Sequence, residues 1–173
     1  FTSIVGDAGI TVAKNLDIAV TSGNSYTVAT ALEGTREAVR LMGKDLATAH
    51  VTIVGASGSI GAACTRILAR EANDITMVAR HLQPLEELAH ELSGSIAGKL
   101  TVSNDIKHSL KDADVVIAVT SAVDFLIEPE DLKAGAIVCD VARPRNVSRE
   151  VVSKRKDVLV IEGGVIKVPG NVD

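Results

Sequence analysis

The sequence predicts an α/β protein in which a doubly wound parallel sheet is covered by helices on both faces. Hydrophobic residues make up 46% of the 173 residues, yet the chain has only two Phe, one Tyr and no Trp. The core must therefore be built from Val, Ile, Leu and Ala, as is typical of buried parallel strands and the helices that cover them. Short β-branched runs alternate with segments of helical period, which is the second observation behind this fold class.

Six short apolar runs predict the strands, and the segments between them predict the helices. Strands that alternate with helices imply right-handed crossovers and a parallel sheet. The predicted strands are residues 50–55, 74–79, 99–102, 113–119, 135–140 and 157–161. The predicted helices are residues 59–71, 83–92 and 106–111, of which the second carries Pro84 near its first turn, where a missing N–H costs little.

The N-terminal part of the chain has a different pattern. We expect residues 1–24, which mix short apolar runs with glycines, to be a short arm that belongs to a preceding domain. Residues 25–43 predict a joining helix, which Asn24-Ser25 can cap and Gly43 can end. Residues 44–173 then form the sheet domain. The first residue is not Met, so we expect the chain to be a piece of a longer protein.

Composition also excludes several function classes. The formal net charge is −4 and aromatic rings are scarce, so we expect no nucleic-acid partner for this chain. No apolar run approaches the roughly 18 residues of a membrane span and no secretory signal is present, so we expect a cytoplasmic location. Cys64 and Cys139 lie far apart in apolar segments, which favours neither a disulfide nor a zinc site. The four histidines lack metal-ligand spacing, and no metal is predicted.

The most specific motif is a glycine-rich turn between the first strand and the helix that follows it, Gly55-Ala56-Ser57-Gly58-Ser59-Ile60-Gly61. Gly55 permits a tight turn, Gly58 lets the backbone approach a pyrophosphate, and Gly61 lets the helix pack closely. The helix N-terminus offers N–H groups and partial positive charge to the anion. Strand, turn and helix together predict a Rossmann-type domain that binds NAD(P). A P-loop nucleotidase is disfavoured because no Gly-Lys-Ser/Thr ending follows.

The end of the second strand decides which dinucleotide is expected. About 20 residues after the first glycine, NAD-binding units carry Asp or Glu for the ribose 2′-hydroxyl, whereas NADP-binding units offer a cation to the 2′-phosphate. This chain has Ala79-Arg80-His81 at that place. Arg80 can stack on adenine and pair with the phosphate, so the predicted cofactor is NADP(H). His81 either assists Arg80 or is a neutral surface histidine.

Polar residues after two later strands are further candidates, because ligands of doubly wound sheets bind beyond the carboxyl ends of the strands. Thr120-Ser121-Ala122 follows the fourth strand and either lines the nicotinamide-ribose side of a cleft or forms a plain strand-to-loop transition. Asp140 ends the fifth strand. Its carboxylate would hold a ribose, a substrate hydroxyl or Arg143, or take part in a loop ion pair.

Two glycine-containing segments complete the candidates. Gly163-Gly164, after the last strand, either brings the backbone close to the nicotinamide ring or makes a hairpin-like turn. The polar segment 21–27 starts the joining helix, and its hydroxyls and amide could face a cleft between domains. We expect Thr21, Ser22 and Asn24 on the substrate side, since helix capping does not explain the whole run.

Four segments of the chain resemble the long-chain acyl-[acyl-carrier-protein] reductase family. They are Phe1-Thr2-Ser3-Ile4-Val5, Thr21-Ser22-Gly23-Asn24-Ser25-Tyr26-Thr27, Val51 to Gly61, and Ile161-Glu162-Gly163-Gly164-Val165. That family is related to predicted amino-acid dehydrogenases with a shikimate-dehydrogenase-like cofactor domain. The resemblance implies an NADPH-dependent reductase in which a cysteine attacks an acyl thioester and hydride transfer then releases an aldehyde. It places that cysteine beyond this chain, and we expect Cys64 and Cys139 to be buried packing residues.

The leading hypothesis is therefore an NADP(H)-dependent oxidoreductase fragment that transfers hydride to an acyl thioester or carbonyl substrate. A shikimate-dehydrogenase-like or glutamyl-tRNA-reductase-like enzyme is the alternative within oxidoreductases. A non-catalytic NADP(H) sensor is the alternative of a different class, because the sequence offers no convincing acid, base or nucleophile. The expected partners are a small-molecule or acyl-carrier substrate, and a homo-oligomer stays open.

Overall fold

A computed structural model describes residues 7, 9–96, 98–121 and 127–165, and within them six strands form one sheet. The strands are β1 (His50–Val54), β2 (Asp74–Val78), β3 (Lys99–Ser103), β4 (Val115–Ala118), β5 (Ile137–Asp140) and β6 (Leu159–Glu162). The helices are α1 (Ile10–Asn15), α2 (Asn24–Leu41), α3 (Ser59–Leu68), α4 (Gln83–Leu92), α5 (Ile106–Lys111) and α6 (Arg149–Lys154), with a 3₁₀ turn at Pro129–Asp131.

The strand order confirms the predicted doubly wound parallel α/β fold. The strands lie in the order β3-β2-β1-β4-β5-β6, and each neighbouring pair is parallel. The chain winds outward from β1 to β3 and then returns to the other side of β1 with β4. The order therefore reverses between β1 and β4, which is where sheets of this kind open a crevice for ligands.

The sheet separates two aliphatic cores, and β4 contributes to both. Val115 and Ile117 belong to the core beneath α2, α3 and α4, whereas Val116 and Ala118 belong to the core beneath α5 and α6. Successive side chains of a strand point to opposite faces, so a strand covered on both sides is apolar throughout. This two-sided burial explains why the chain can fill its interior with few rings.

The joining helix begins differently from the prediction. Its N-cap is Gly23, at φ 81°, and no side chain caps it. Asn24-Ser25 therefore lies within the first turn, and the prediction that this pair caps the helix was wrong. Capping side chains belong to residues in the extended region, whereas the chain enters α2 through a left-handed turn that favours glycine. At the other end, Gly43 has φ 66° and follows the last helical residues, as predicted.

Other boundaries differ by a few residues, and two helices, α1 and α6, were not among the predicted elements. α3 ends at Leu68 rather than residue 71, and β6 extends to Glu162 rather than residue 161. α1 escaped prediction because its six residues bury no side chain and so lack an apolar face directed to a core. None of the helices in the described part of the chain is both long enough and apolar enough to cross a membrane.

Candidate functional site

A cleft of about 330 Å³ opens at the carboxyl ends of β1, β2 and β4. It lies at the point where the strand order reverses, and its volume falls within the range of roughly 300–1,000 Å³ that is usual for ligand sites. Seven of the predicted site residues line it: Gly55, Ser57, Gly58, Arg80, His81, Thr120 and Ser121. Sequence reasoning missed five further lining residues: Val54, Val78, Ala79, Ile106 and Val119.

Gly55 is required at its position for two separate reasons. Its φ is 90°, a conformation that other residues rarely adopt, and a Cβ there would lie 2.8 Å from the Thr120 backbone nitrogen. The Gly55 N–H donates to the Val78 carbonyl oxygen at 2.8 Å, which ties the turn to β2. The turn is thus held between the ends of β2 and β4, at the floor of the cleft.

The other two glycines of the motif differ in what surrounds them. A Cβ on Gly61 would press on the Gly55 carbonyl oxygen and lie 2.7 Å from the Ala56 Cα, so α3 packs directly on the turn, as predicted. A Cβ on Gly58 would meet only the Gly55 carbonyl oxygen, at 3.4 Å, so no other described protein atom lies within 4 Å of that position. Gly61 therefore serves packing, and Gly58 keeps space free at the cleft.

The remaining residues of the motif divide between core and cleft. The Ala56 side chain is fully buried and Ile60 packs against the main core, so of these two residues only the backbone can serve a ligand. Ser57 and Ser59 are exposed. As in any helix, the N–H groups of the first turn of α3 lack intrahelical acceptors, and the positive end of the helix dipole lies there. The turn is thus suited to an anion.

Arg80 and His81 follow β2 and are both exposed at the cleft. Arg80 makes no hydrogen bond or ion pair with any residue of the described ranges, so its guanidinium is available to a ligand. Ile106, the first residue of α5, also lines the cleft and supplies an apolar surface. A planar adenine with a phosphate on its ribose matches this pairing of an apolar wall with a cation.

The residues predicted on the substrate side lie in two different places, and that role stays a prediction for them. Thr21 and Ser22 lie in a separate groove with Gly9, Ile10 and Val20, and not in the cleft. The Thr21 hydroxyl oxygen accepts the Gly23 N–H at 3.2 Å, so it also stabilises the turn.

Asn24 instead reaches the glycine-rich turn. Its Nδ2 donates to the Oγ of Ser59 at 3.0 Å, across 35 residues of sequence. Sequence spacing carried no signal for this contact.

Asp140 is buried and its carboxylate accepts backbone N–H groups, and its predicted place on the substrate side stays a prediction. Its side chain is 1% exposed. One carboxylate oxygen accepts the Ala142 N–H at 3.0 Å, and the other accepts the N–H groups of Asn146 and Val147 at 2.9 and 3.0 Å. A carboxylate at the end of a strand can satisfy the loop that follows it, and here the loop supplies three donors. Asp140 therefore holds the loop after β5.

Arg143 does not pair with Asp140 either. It donates to the Ala142 carbonyl oxygen at 2.8 Å, and it lies 3.4 Å from the carboxylate of Glu162 at the end of β6. Arg145 pairs with the same carboxylate. These exposed pairs join the loop after β5 to the edge strand.

Gly163 and Gly164 lie against protein atoms. A Cβ on Gly163 would lie 2.7 Å from the Cys139 Sγ, and one on Gly164 would lie 2.6 Å from the Val141 carbonyl oxygen. Close packing on the end of β5 is therefore sufficient to require both glycines. The predicted approach of these two glycines to a nicotinamide ring stays a prediction.

Some residues named in the sequence analysis lie outside the described part of the chain. They are Ala122, residues 1–5 and the segment after Val165.

Both thiols are buried, as expected of packing residues. Burial raises the pKa of Cys64 to about 12, and burial also raises the pKa of Cys139. A thiol with a raised pKa carries little thiolate at neutral pH and is a poor nucleophile. Within the described ranges, no group of three or more His, Cys, Asp or Glu residues is arranged to hold a metal ion.

Comparison with protein families gives a match over most of the chain. A family model described as Shikimate / quinate 5-dehydrogenase matches residues 36–162, a range that includes all the strands described above.

The relatives are longer proteins. Aminotransferase PigE from a Serratia species is 31% identical over 168 residues, which are 96% of this chain and 20% of that protein. A long-chain acyl-[acyl-carrier-protein] reductase from Synechococcus elongatus is 29% identical over 156 residues, 88% of this chain and 43% of that protein. A glutamyl-tRNA reductase from Methanosarcina barkeri is 35% identical over 116 residues, which are 61% of this chain and 25% of that protein. The predicted resemblance is confirmed, and the chain spans less than half the length of these relatives.

Solved structures share the fold at low sequence identity. The A chain of dipicolinate synthase from Bacillus subtilis has a TM-score of 0.64 at 18% identity, over 92% of this chain and 55% of that one. Glutamyl-tRNA reductase from Methanopyrus kandleri has a TM-score of 0.60 at 24% identity, over 78% and 34%. Shikimate 5-dehydrogenase from Listeria monocytogenes, solved with shikimate and NAD, has a TM-score of 0.56 at 18% identity, over 78% and 52%.

Proposed function

Since the chain belongs to the shikimate/quinate 5-dehydrogenase family, we propose that it is the NADP(H)-binding domain of an oxidoreductase. The observation that carries this proposal is the cleft itself. The glycine-rich turn and exposed Arg80 come together there, at the point where the strand order reverses. Each part matches one part of a dinucleotide.

The residues present fit such a cofactor. The pyrophosphate would lie on the turn at Gly58, where protein atoms leave space, and against the N-terminus of α3. The adenine would lie between Arg80 and Ile106, with the 2′-phosphate paired to the Arg80 guanidinium. Thr120-Ser121 would line the nicotinamide-ribose side. When bound, the cofactor supplies or accepts a hydride at its nicotinamide ring.

The substrate is proposed by analogy with the relatives, as an acyl thioester or another carbonyl compound. The role of this chain would be to bind and orient the dinucleotide. Cys64 and Cys139 are buried, and Asp140 is occupied by backbone N–H groups. The group that reacts with the substrate is therefore proposed to come from a second domain of a longer protein.

The segment from Gly9 to Ser22 is the proposed contact with that second domain. It exposes five large apolar side chains within eleven consecutive residues, of which Ile18 is the most exposed at 70%. Isolated apolar side chains are common on surfaces, but a concentration of them marks an interaction site. The five are Ile10, Val12, Leu16, Ile18 and Val20.

Thermal unfolding with each dinucleotide tests the cofactor. At a hundredfold excess over the dissociation constant, a bound ligand stabilises by about 2.7 kcal/mol, and NADPH should stabilise more than NADH at equal concentration. Arg80→Ala should abolish this difference. Arg70→Ala, which removes an exposed arginine outside the cleft, is the matched control and should retain it. Equal stabilisation of the wild type by both dinucleotides would contradict the role of Arg80.

Turnover separates an enzyme from a sensor. A longer protein that contains this chain should oxidise NADPH when supplied with acyl thioesters or carbonyl compounds. Binding of NADPH without turnover of any substrate of these classes would favour the non-catalytic sensor instead.

A further inference from the structure

A hydrogen bond joins the first residue of α2 to the glycine-rich turn. Asn24 is the first residue of α2, and Ser59 is the first residue of α3, directly after Gly58. The Asn24 Nδ2 donates to the Ser59 Oγ at 3.0 Å. The contact thus lies next to Gly58, which lines the cleft and at which the proposed function places the pyrophosphate.

The two helices that carry these residues are held in register. α2 packs beside α3, and a second side-chain contact joins them further along. Arg36 donates to both carboxylate oxygens of Glu71, just after α3, at 2.8 and 2.6 Å. Both pairs are separated by 35 residues in sequence, so the helices run side by side in the same direction. The position of Asn24 relative to Ser59 is therefore fixed at two points.

The hydrogen bond determines how the Ser59 hydroxyl can be used. A serine hydroxyl has one hydrogen to donate and two lone pairs that accept. Because one lone pair accepts from Asn24, the hydroxyl hydrogen is left to donate elsewhere. An anion at the N-terminus of α3 is the partner that this geometry favours.

We infer that Asn24 is a positioning residue for the cofactor, which orients the Ser59 hydroxyl as a donor to the pyrophosphate. This inference rests on the proposed function and adds a role that the glycine-rich turn alone does not contain. It also replaces the expectation that Asn24 faces the substrate. The start of α2 would then act on dinucleotide affinity through one side chain.

Calorimetric titration of the purified protein with NADP⁺ and with 2′-AMP tests the inference. The second ligand carries the adenine and the 2′-phosphate but no pyrophosphate. Asn24→Ala should weaken NADP⁺ binding about fivefold, as expected for the loss of one ordinary hydrogen bond, and leave 2′-AMP binding unchanged. Asn24→Asp should weaken NADP⁺ binding further, because its carboxylate accepts the hydroxyl hydrogen and places a negative charge near the anion.

Two more variants show whether Ser59 mediates the effect. Ser59→Ala should weaken NADP⁺ binding as Asn24→Ala does, and the double variant should bind no more weakly than Ser59→Ala alone. Asn73→Ala is the control. It replaces an exposed asparagine at the amino end of β2, away from the cleft at the carboxyl ends of the strands, and should bind like the wild type.

The possible failures are distinguishable. If Asn24→Ala binds NADP⁺ like the wild type, or weakens 2′-AMP binding equally, the inference is wrong while the proposed function stands. If the wild type binds neither ligand, the proposed function itself fails. Asn24→Asp preserves the size of the side chain, so it gives an answer even if Asn24→Ala does not fold.

Discussion

Replacing Gly61 by alanine should destabilise the protein, although alanine is the better helix former. The new Cβ would lie 2.7 Å from the Ala56 Cα and 2.9 Å from the Gly55 carbonyl carbon, and it would press on the Gly55 carbonyl oxygen. Carbon atoms in contact are normally about 3.5–4.0 Å apart, so the turn must move by about 1 Å. All these atoms belong to the backbone, and no flexible side chain can give way.

The loss of unfolding free energy in Gly61→Ala follows from two opposing effects. Overpacking of this kind costs about 1–3 kcal/mol, and we take the upper part of that range because the clash is with backbone. The gain in helix propensity from glycine to alanine is about 1 kcal/mol. The free energy of unfolding should therefore fall by about 1–2 kcal/mol, which for a chain of this size lowers Tm by about 2–8 °C.

Gly58→Ala is the matched comparison. Its Cβ would meet only the Gly55 oxygen, at 3.4 Å. Its unfolding free energy should change by less than about 0.5 kcal/mol, and only its affinity for a dinucleotide should fall. Urea unfolding and calorimetric titration of both variants measure the two effects. If Gly61→Ala is as stable as the wild type, or Gly58→Ala loses as much stability as Gly61→Ala, the packing argument is refuted.

Three more predictions concern buried and partly buried polar groups. Asp140→Asn keeps the shape but replaces an acceptor by a donor, so urea unfolding should show a loss of about 2–3 kcal/mol. At Asp114, burial opposes ionisation, but hydrogen bonds from Lys133 and Lys44 outweigh it and hold the pKa well below its usual value. Its contribution to stability is present above the unfolded pKa and is lost as pH falls below about 4, so Asp114→Asn should weaken that acid dependence in urea unfolding between pH 3 and 7. Cys64 should resist thiol reagents at pH 8 in the folded protein and react once urea unfolds it; reaction at the rate of a free thiol would contradict its burial.

The fold could be predicted because its signals are local. A parallel strand covered on both faces is a continuous aliphatic run, as at Val115–Ala118, and a tight turn into a helix needs glycine at fixed spacing. The cleft could be predicted for the same reason, since the ends of consecutive strands in a doubly wound sheet meet at one edge. Arg80 and Thr120 come together by topology alone.

The other roles depend on which atoms meet in space. Asp140 appeared available because sequence does not show the N–H groups that the following loop turns toward it. Gly163 appeared suited to a ligand, whereas the Cys139 sulfur is sufficient to exclude a side chain there. The place of Ile106 at the cleft and the contact between Asn24 and Ser59 depend on how the helices pack. The spacing of residues along the sequence does not show this packing.

The unequal helices on the two faces of the sheet imply unequal local stability. α5 and α6 have six residues each, against eighteen in α2. Helices this short are unstable alone in water and persist only through their packing. Amide protons of α5 and α6 should therefore exchange with solvent through small local openings, sooner than those of α2 and the central strands. Because Ile106 begins α5, one wall of the cleft belongs to a helix that should open more easily than α2 and the central strands.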